Sequence, residues 1–207
     1  CLQDGKWQFV NSAIPTGKEN HATIVENMLP QEREFMLYLP LYDGVDKLEI
    51  GIDPGAEIVA SELNSPNREN PIVMYGTSIL QGASASRPGM AATNIIGRRF
   101  DREVVNLGFS ANAFLDKEIA ELMSEVEASA YVLDFVPNAS VSQIKELTIP
   151  FYRILRKKHR TTPIIFVEDP QFPSAVYNRV LADEIREKNE ALQLVYKELQ
   201  KEKEKNI

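Results

Sequence analysis

Apolar positions along the chain fall into two textures. Up to residue 63 they come as short runs: Trp7 to Val10, Ala22 to Met28, Phe35 to Leu39, Lys47 to Ile52 and Glu57 to Leu63. These runs are rich in apolar, aromatic or β-branched residues. Turn formers separate them, among them Asp4-Gly5, Pro30, Asp43-Gly44 and Asp53-Pro54-Gly55. The pattern predicts strands of a partial, sandwich-like antiparallel β domain over residues 1–63, with Trp7, Phe35 and Leu37 on its apolar face. The polar stretch "NSPNREN", Asn64 to Asn70, reads as a linker.

From residue 71 onward the texture alternates. Ile72 to Tyr75, Glu103 to Leu107, Ala130 to Phe135 and Ile164 to Val167 are nearly all apolar, as parallel strands buried on both faces must be. Between them Met90 to Phe100, Asp116 to Val126 and Val141 to Lys158 read as helices, the last in spite of Pro150. A long charged helix is expected from Ser174 to about Lys203. Strand–helix alternation with right-handed crossovers gives an α/β domain over 71–207: a doubly wound, flavodoxin-like parallel sheet.

Composition narrows the function classes. The chain of 207 residues is 43% hydrophobic and 26% charged, with a net charge of -7, which gives nothing for nucleic acid or anionic lipid to bind. No apolar stretch approaches a membrane span. A single cysteine excludes an internal disulfide and every multi-cysteine metal site, and no metal or cofactor is expected. The chain opens at Cys1 in what reads as the middle of a hairpin, so a fragment boundary is expected there.

In a doubly wound sheet the strand C-terminal ends share one edge, where ligands bind. The residues just past each strand are therefore the candidates: Gly76-Thr77-Ser78, Gly108-Phe109-Ser110, Val136-Pro137-Asn138 and Glu168-Asp169-Pro170. Each has an ordinary reading, as helix cap, loop glycine or turn asparagine. Taken together, a serine, a glycine and an asparagine at three successive strand ends suit acyl transfer. Ser78 would attack, and the N–H groups of Ser78 and Gly108 with the Asn138 amide would hold the oxyanion. A phosphate or ligand cradle in a flavodoxin-like domain is the competing reading. It lacks a Gly-x-Gly-x-x-Gly or a Gly-Lys-Ser/Thr loop. The Gly-x-Ser-x-Gly elbow is also absent, because Leu80 replaces the second glycine.

"GTSILQGASASRPG", "NLGFSANAFL" and "YVLDFVPN" resemble the first three blocks of the SGNH, or GDSL-like, hydrolases. "LYLPLYDGVDKLEIGID" is similar to the β-rich N-terminal domain of a bacterial esterase subfamily. The resemblance implies a serine esterase acting on a small ester or an acylated glycan, carbohydrate acetylesterases included, in a periplasmic or secreted setting. It also implies Ser78 as nucleophile with Gly108 and Asn138 as oxyanion donors. The third block departs from Gly-x-Asn-Asp, since Val136 and Ala139 stand at its glycine and aspartate positions.

A serine needs a base, and the family takes it from a C-terminal Asp-x-x-His that this sequence lacks. His21 lies in a polar loop and His159 in "RKKHRTTP", before the fourth strand and so toward the opposite edge; solvated roles are expected for both. The chain is therefore expected to be an interior piece of such a protein, weakly active by itself or a non-catalytic remnant. Thr77, Arg87 and Asp169 are expected to face substrate. A structural role remains open for Asp169, and a loop-pinning salt bridge for Arg87.

Overall fold

The computed structural model describes residues 1–63 and 65–201. Asn64 of the expected linker and Glu202 and Lys203 at the end of the expected long helix lie outside them.

The chain begins with a minimal hairpin. β1 (Leu2–Gln3) and β2 (Lys6–Trp7) pair antiparallel, Leu2 opposite Trp7. Asp4 and Gly5 take φ of 49° and 71° between them, the left-handed pair that a two-residue hairpin turn demands. Beyond it the expected strands over residues 22–28, 35–39, 47–52 and 57–63 are not formed. These segments carry no ladder and no helix. β propensity becomes a strand only when a neighbouring backbone supplies the ladder, and no such pairing forms between these runs. Their apolar side chains stay correspondingly open: Phe35 is 52% exposed and Leu37 56%, so neither contributes to a covered face. Trp7 is half-buried, beside Tyr38, Pro66 and Arg98.

β3 (Asn67–Gly76) starts inside the stretch expected to be linker. Asn67 N–H donates to the Asp101 carbonyl (3.0 Å), and Arg102 reaches back to the carbonyls of Glu69 and Asn70 (2.7 and 2.9 Å). Those polar residues are therefore held beside β4 (Arg102–Gly108). β5 (Ala130–Asp134) pairs with β3 on its other side, and β6 (Ile164–Phe166) with β5, giving a parallel sheet in the order β4-β3-β5-β6.

Helices α1 (Ser78–Gln81), α2 (Ala92–Phe100), α3 (Lys117–Met123) and α4 (Val141–Lys158) occupy the crossovers, and α5 (Arg179–Lys201) follows β6. α5 begins later than expected. Pro173–Val176 forms a separate 3-10 turn, and Asn178 Oδ1 accepts from Leu181 N–H (3.2 Å) where the α-helix starts. The main core gathers Val73, Tyr75, Tyr131 and Leu133 from the sheet with Ile144, Phe151 and Leu155 of α4 and Leu192, Val195 and Leu199 of α5. A smaller core on the other face joins Met74 and Val132 to Leu80 of α1.

Candidate active site

β3 delivers its C-terminal end between two neighbours. Gly76 is in register with Gly108 of β4 on one side and Asp134 of β5 on the other. A Cβ on Gly76 would stand 2.6 Å from the Asp134 carbonyl oxygen, so only glycine permits this approach. The chain then turns sharply. Thr77 is extended (φ -90°, ψ -169°), and its hydroxyl accepts from Ile79 N–H at 3.3 Å, capping α1. Gly82, at φ 115°, ends the helix after four residues. Ser78 is therefore the first helical residue, half-buried at the strand edge. Its carbonyl accepts from Gly82 N–H (3.1 Å), Ala83 N–H (2.8 Å) and the Tyr42 hydroxyl (3.3 Å).

Gly108 ends the adjacent strand. Its N–H donates to Asn106 Oδ1 at 2.9 Å, which engages the donor expected to face an oxyanion. The glycine is needed for another reason: a Cβ there would lie 2.3 Å from the Gln81 backbone nitrogen. Asn106 braces the same contact, its Nδ2 donating to the Leu80 carbonyl (3.2 Å) and Thr93 Oγ1 (3.1 Å).

The loop after β4 is tied at each step. Phe109 N–H donates to the Gly76 carbonyl (2.8 Å), Ser110 N–H to Gln81 Oε1 (3.0 Å) and Leu115 N–H to the buried Tyr75 hydroxyl (2.8 Å). Ala113 N–H donates to Asn138 Oδ1 (3.3 Å). Ala111 and Leu115 hold φ of 56° and 64°. Such values are uncommon for residues with a side chain, and they concentrate where a loop is held for function. Asn138, four residues beyond β5, is thus turned toward this loop by its oxygen, leaving Nδ2 to donate.

The other expected substrate contacts come out differently. Thr77 is fully buried with its hydroxyl spent as the cap, so it shapes the turn and offers no surface to a ligand. Arg87 stacks on the Phe9 ring (4.1 Å to the centroid) and donates to Ser86 Oγ (3.3 Å); it pins the N-terminal segment through an aromatic face. Asp169 follows β6 and is 6% exposed. Its main chain exchanges two hydrogen bonds with the Asn189 carboxamide (2.7 and 3.0 Å), while its buried Oδ1 has no partner among the described residues.

Asp134, at the end of β5, was not expected at the site. A lone carboxylate closing the apolar run "YVLDF" was its only signal in the sequence. Burial, and then the nearby Asp169, push its carboxyl up to about 6. Asp169 is itself raised, by burial first. Lys188 opposes that shift and Glu184 adds to it. Lys188 lies under the same edge, its Nζ reaching Glu184 Oε1 (2.7 Å) and the Pro137 carbonyl (3.2 Å).

Neither histidine is at this edge. His159 caps the C-terminal end of α4, 5% exposed, with Nε2 against the Ser124 carbonyl (2.9 Å) and its ring beside Tyr131. It is a core residue of the opposite edge, contrary to the solvated role expected for it. His21 is exposed beside Glu19 (3.3 Å).

A doubly wound α/β domain with hydroxyl, amide and carboxyl groups along its C-terminal sheet edge is the class these features define. The chain belongs to the GDSL-like lipase/acylhydrolase family, whose profile matches residues 69–207. Residues 2–58 match the N-terminus of SGNH-hydro-type esterases. Among solved structures, a protein of GDSL-like lipase type from Bacteroides ovatus ATCC 8483 is 40% identical and superposes with a TM-score of 0.93 over 99% of this chain. The chain spans 60% of that protein's length. The salicylyl-acyltransferase SsfX3 from a tetracycline biosynthetic pathway shares the fold over 67% of this chain and 41% of its own, at 21% identity and a TM-score of 0.55. No curated protein matches the chain.

Proposed function

We propose that this chain carries the nucleophile and oxyanion side of a serine ester hydrolase acting on small acyl esters, acylated glycans among them. Ser78 Oγ attacks the acyl carbonyl, and the Ser78 N–H and Asn138 Nδ2 receive the negative charge that develops on its oxygen. The Gly108 N–H, held by Asn106, has a supporting role. The observation that carries the reading is the pairing of β3 with β5. It sets Ser78 and Asn138 just past adjacent strand ends, with the Asn138 oxygen already engaged by Ala113 and its amide nitrogen left to donate. Donors fixed before the reaction stabilise an oxyanion without reorganising, which is where such sites gain most of their rate.

The Ser78 proton must leave as the C–O bond forms. His159 is buried at the other edge and His21 is exposed in the N-terminal segment, so neither accepts it; the proton passes to water, and the alcohol leaves, taking a proton from water, as the acyl-enzyme forms. Positioned acid–base catalysis typically contributes about 10²- to 10⁴-fold, and slow turnover of p-nitrophenyl acetate by this chain is the expected result. That residual activity should vanish in Ser78→Ala and drop by about 10²- to 10³-fold in Asn138→Ala, the usual loss for one oxyanion donor. Fast, Ser78-dependent turnover would point to Asp134 or Asp169 as the base. Absence of both turnover and fluorophosphonate labelling at Ser78 would favour a ligand-binding domain instead.

A further inference from the structure

The carboxamide of Gln81 has one donor end and one acceptor end, and two distant segments of chain occupy them. Nε2 donates to the Leu41 carbonyl at 3.2 Å, in the N-terminal segment. Oε1 accepts from Ser110 N–H at 3.0 Å, in the loop after β4. Gln81 closes α1, three residues after Ser78. The next residue along from Leu41 is Tyr42, whose hydroxyl donates to the Ser78 carbonyl. Leu41 also fills the space over Gly82, where a Cβ would come within 2.5 Å of its Cδ1. On the opposite flank Gly108 lets β4 come within contact of the Gln81 backbone.

A four-residue helix has almost no stability of its own, because nucleation fixes several residues for a single hydrogen bond. The direction in which Ser78 presents its hydroxyl therefore depends on what grips the turn from outside. The grip also reaches the oxyanion side. Gln81 holds Ser110, and three residues further on Ala113 N–H orients Asn138.

We infer that Gln81 is a positioning residue which sets the distance between the Ser78 turn and the loop that aims Asn138. It does so with the Leu41–Tyr42 strap of the N-terminal segment as its second anchor. The inference rests on the serine-hydrolase reading, and it makes the N-terminal segment a working part of the site. Gln81 itself touches no reacting atom; its effect passes through Ser110 and the backbone of α1.

The test compares the whole chain with Gln81→Leu, Gln81→Glu and Tyr42→Phe in two measurements. One is amide hydrogen exchange at Ser110, which is independent of any chemistry at Ser78. The other is labelling of Ser78 by a fluorophosphonate, resolved into kinact and KI. Gln81→Leu keeps an apolar stem one atom shorter and loses both hydrogen bonds. It should expose the Ser110 amide to exchange and lower kinact by about 10- to 100-fold, the scale of an ångström-sized misplacement, with KI nearly unchanged. Gln81→Glu keeps the acceptor for Ser110 and loses the donor for Leu41, so it should protect Ser110 and restore part of kinact. Tyr42→Phe removes one hydroxyl from a half-exposed residue and carries the test if Gln81→Leu does not fold. A several-fold fall in its kinact is expected. Unchanged kinact in the folded variants, or undiminished Ser110 protection in Gln81→Leu, overturns the inference. Failure of the unsubstituted chain to label overturns the serine-hydrolase reading itself, whereas normal labelling with indifferent variants overturns only the role of Gln81.

Discussion

Asp134 shows how one residue can work against the fold that holds it. Its carboxyl closes β5 beside Gly76, partly withdrawn from water and facing Asp169, with Lys188 and Glu184 nearby on α5. Burial and the neighbouring carboxyl favour its neutral form, which places its folded pKa at about 6, above the unfolded value near 4. Between those values the folded chain binds more protons than the unfolded one. Stability therefore falls as pH rises from about 4 to about 6 and stays lower above that. Asp134→Asn should raise stability by roughly 1–3 kcal/mol at pH 8 and leave it nearly unchanged at pH 4. Denaturant unfolding at the two pH values checks this. Equal effects at both would mean that folding does not raise the pKa of this carboxyl.

Among the elements, α1 and α4 obtain their stability in opposite ways. α1 depends on its neighbours, as its length requires. α4 is well specified locally: Ser140 and Gln143 form a reciprocal capping box, Gln143 N–H donating to Ser140 Oγ (3.2 Å) and Ser140 N–H to Gln143 Oε1 (2.8 Å). Pro150 lies inside α4 and costs about 3 kcal/mol relative to alanine. Full burial of Ile144, Phe151, Tyr152 and Leu155 offsets this, at roughly 1.5–3 kcal/mol for each large apolar side chain. Ser140→Ala should cost about 1 kcal/mol, the typical value of an N-cap. It should lower the denaturation midpoint without changing the slope.

Across the whole molecule, the two edges of the parallel sheet carry different sets of residues. Ser78, Gly108, Asn138, Asp134 and Asp169 follow or close strand C-termini. His159, Ser124 and the buried Arg156, which stacks on Tyr152 and donates to the carbonyls of His159 and Thr162 (2.7 and 2.8 Å), close the other edge. Substituting His159 with leucine should leave the Ser124 carbonyl without its partner and cost roughly 1–3 kcal/mol. Labelling of Ser78 should proceed at the unsubstituted rate, since the length of the sheet lies between the two. A loss of labelling in a folded His159→Leu chain would contradict this separation.

What the sequence determined by itself is the α/β alternation, the parallel sheet and the edge on which the candidate residues lie. Those follow from continuous apolar runs, helix-length polar segments between them and the handedness of crossovers, all of which are local or nearly so. The α4 boundaries and the loop residues at strand ends were legible for the same reason, whereas Thr77, expected to face substrate, is the buried cap of α1. The tertiary structure alone decided which of these residues have atoms left for chemistry. Gly108 and Asn138 look equivalent as letters, yet Asn106 takes the N–H of one while Ala113 N–H engages the amide oxygen of the other. Asp134 and Gln81 lie inside the motif blocks without a role of their own there, and what they do arises from distant neighbours: Asp169 is 35 positions from Asp134, and Leu41 and Ser110 are 40 and 29 positions from Gln81. The apolar runs before residue 63 mark the same limit from the other side. Their composition favours strands, but a ladder exists only where a second backbone lies alongside, and pairing is a property of the folded chain rather than of any one segment.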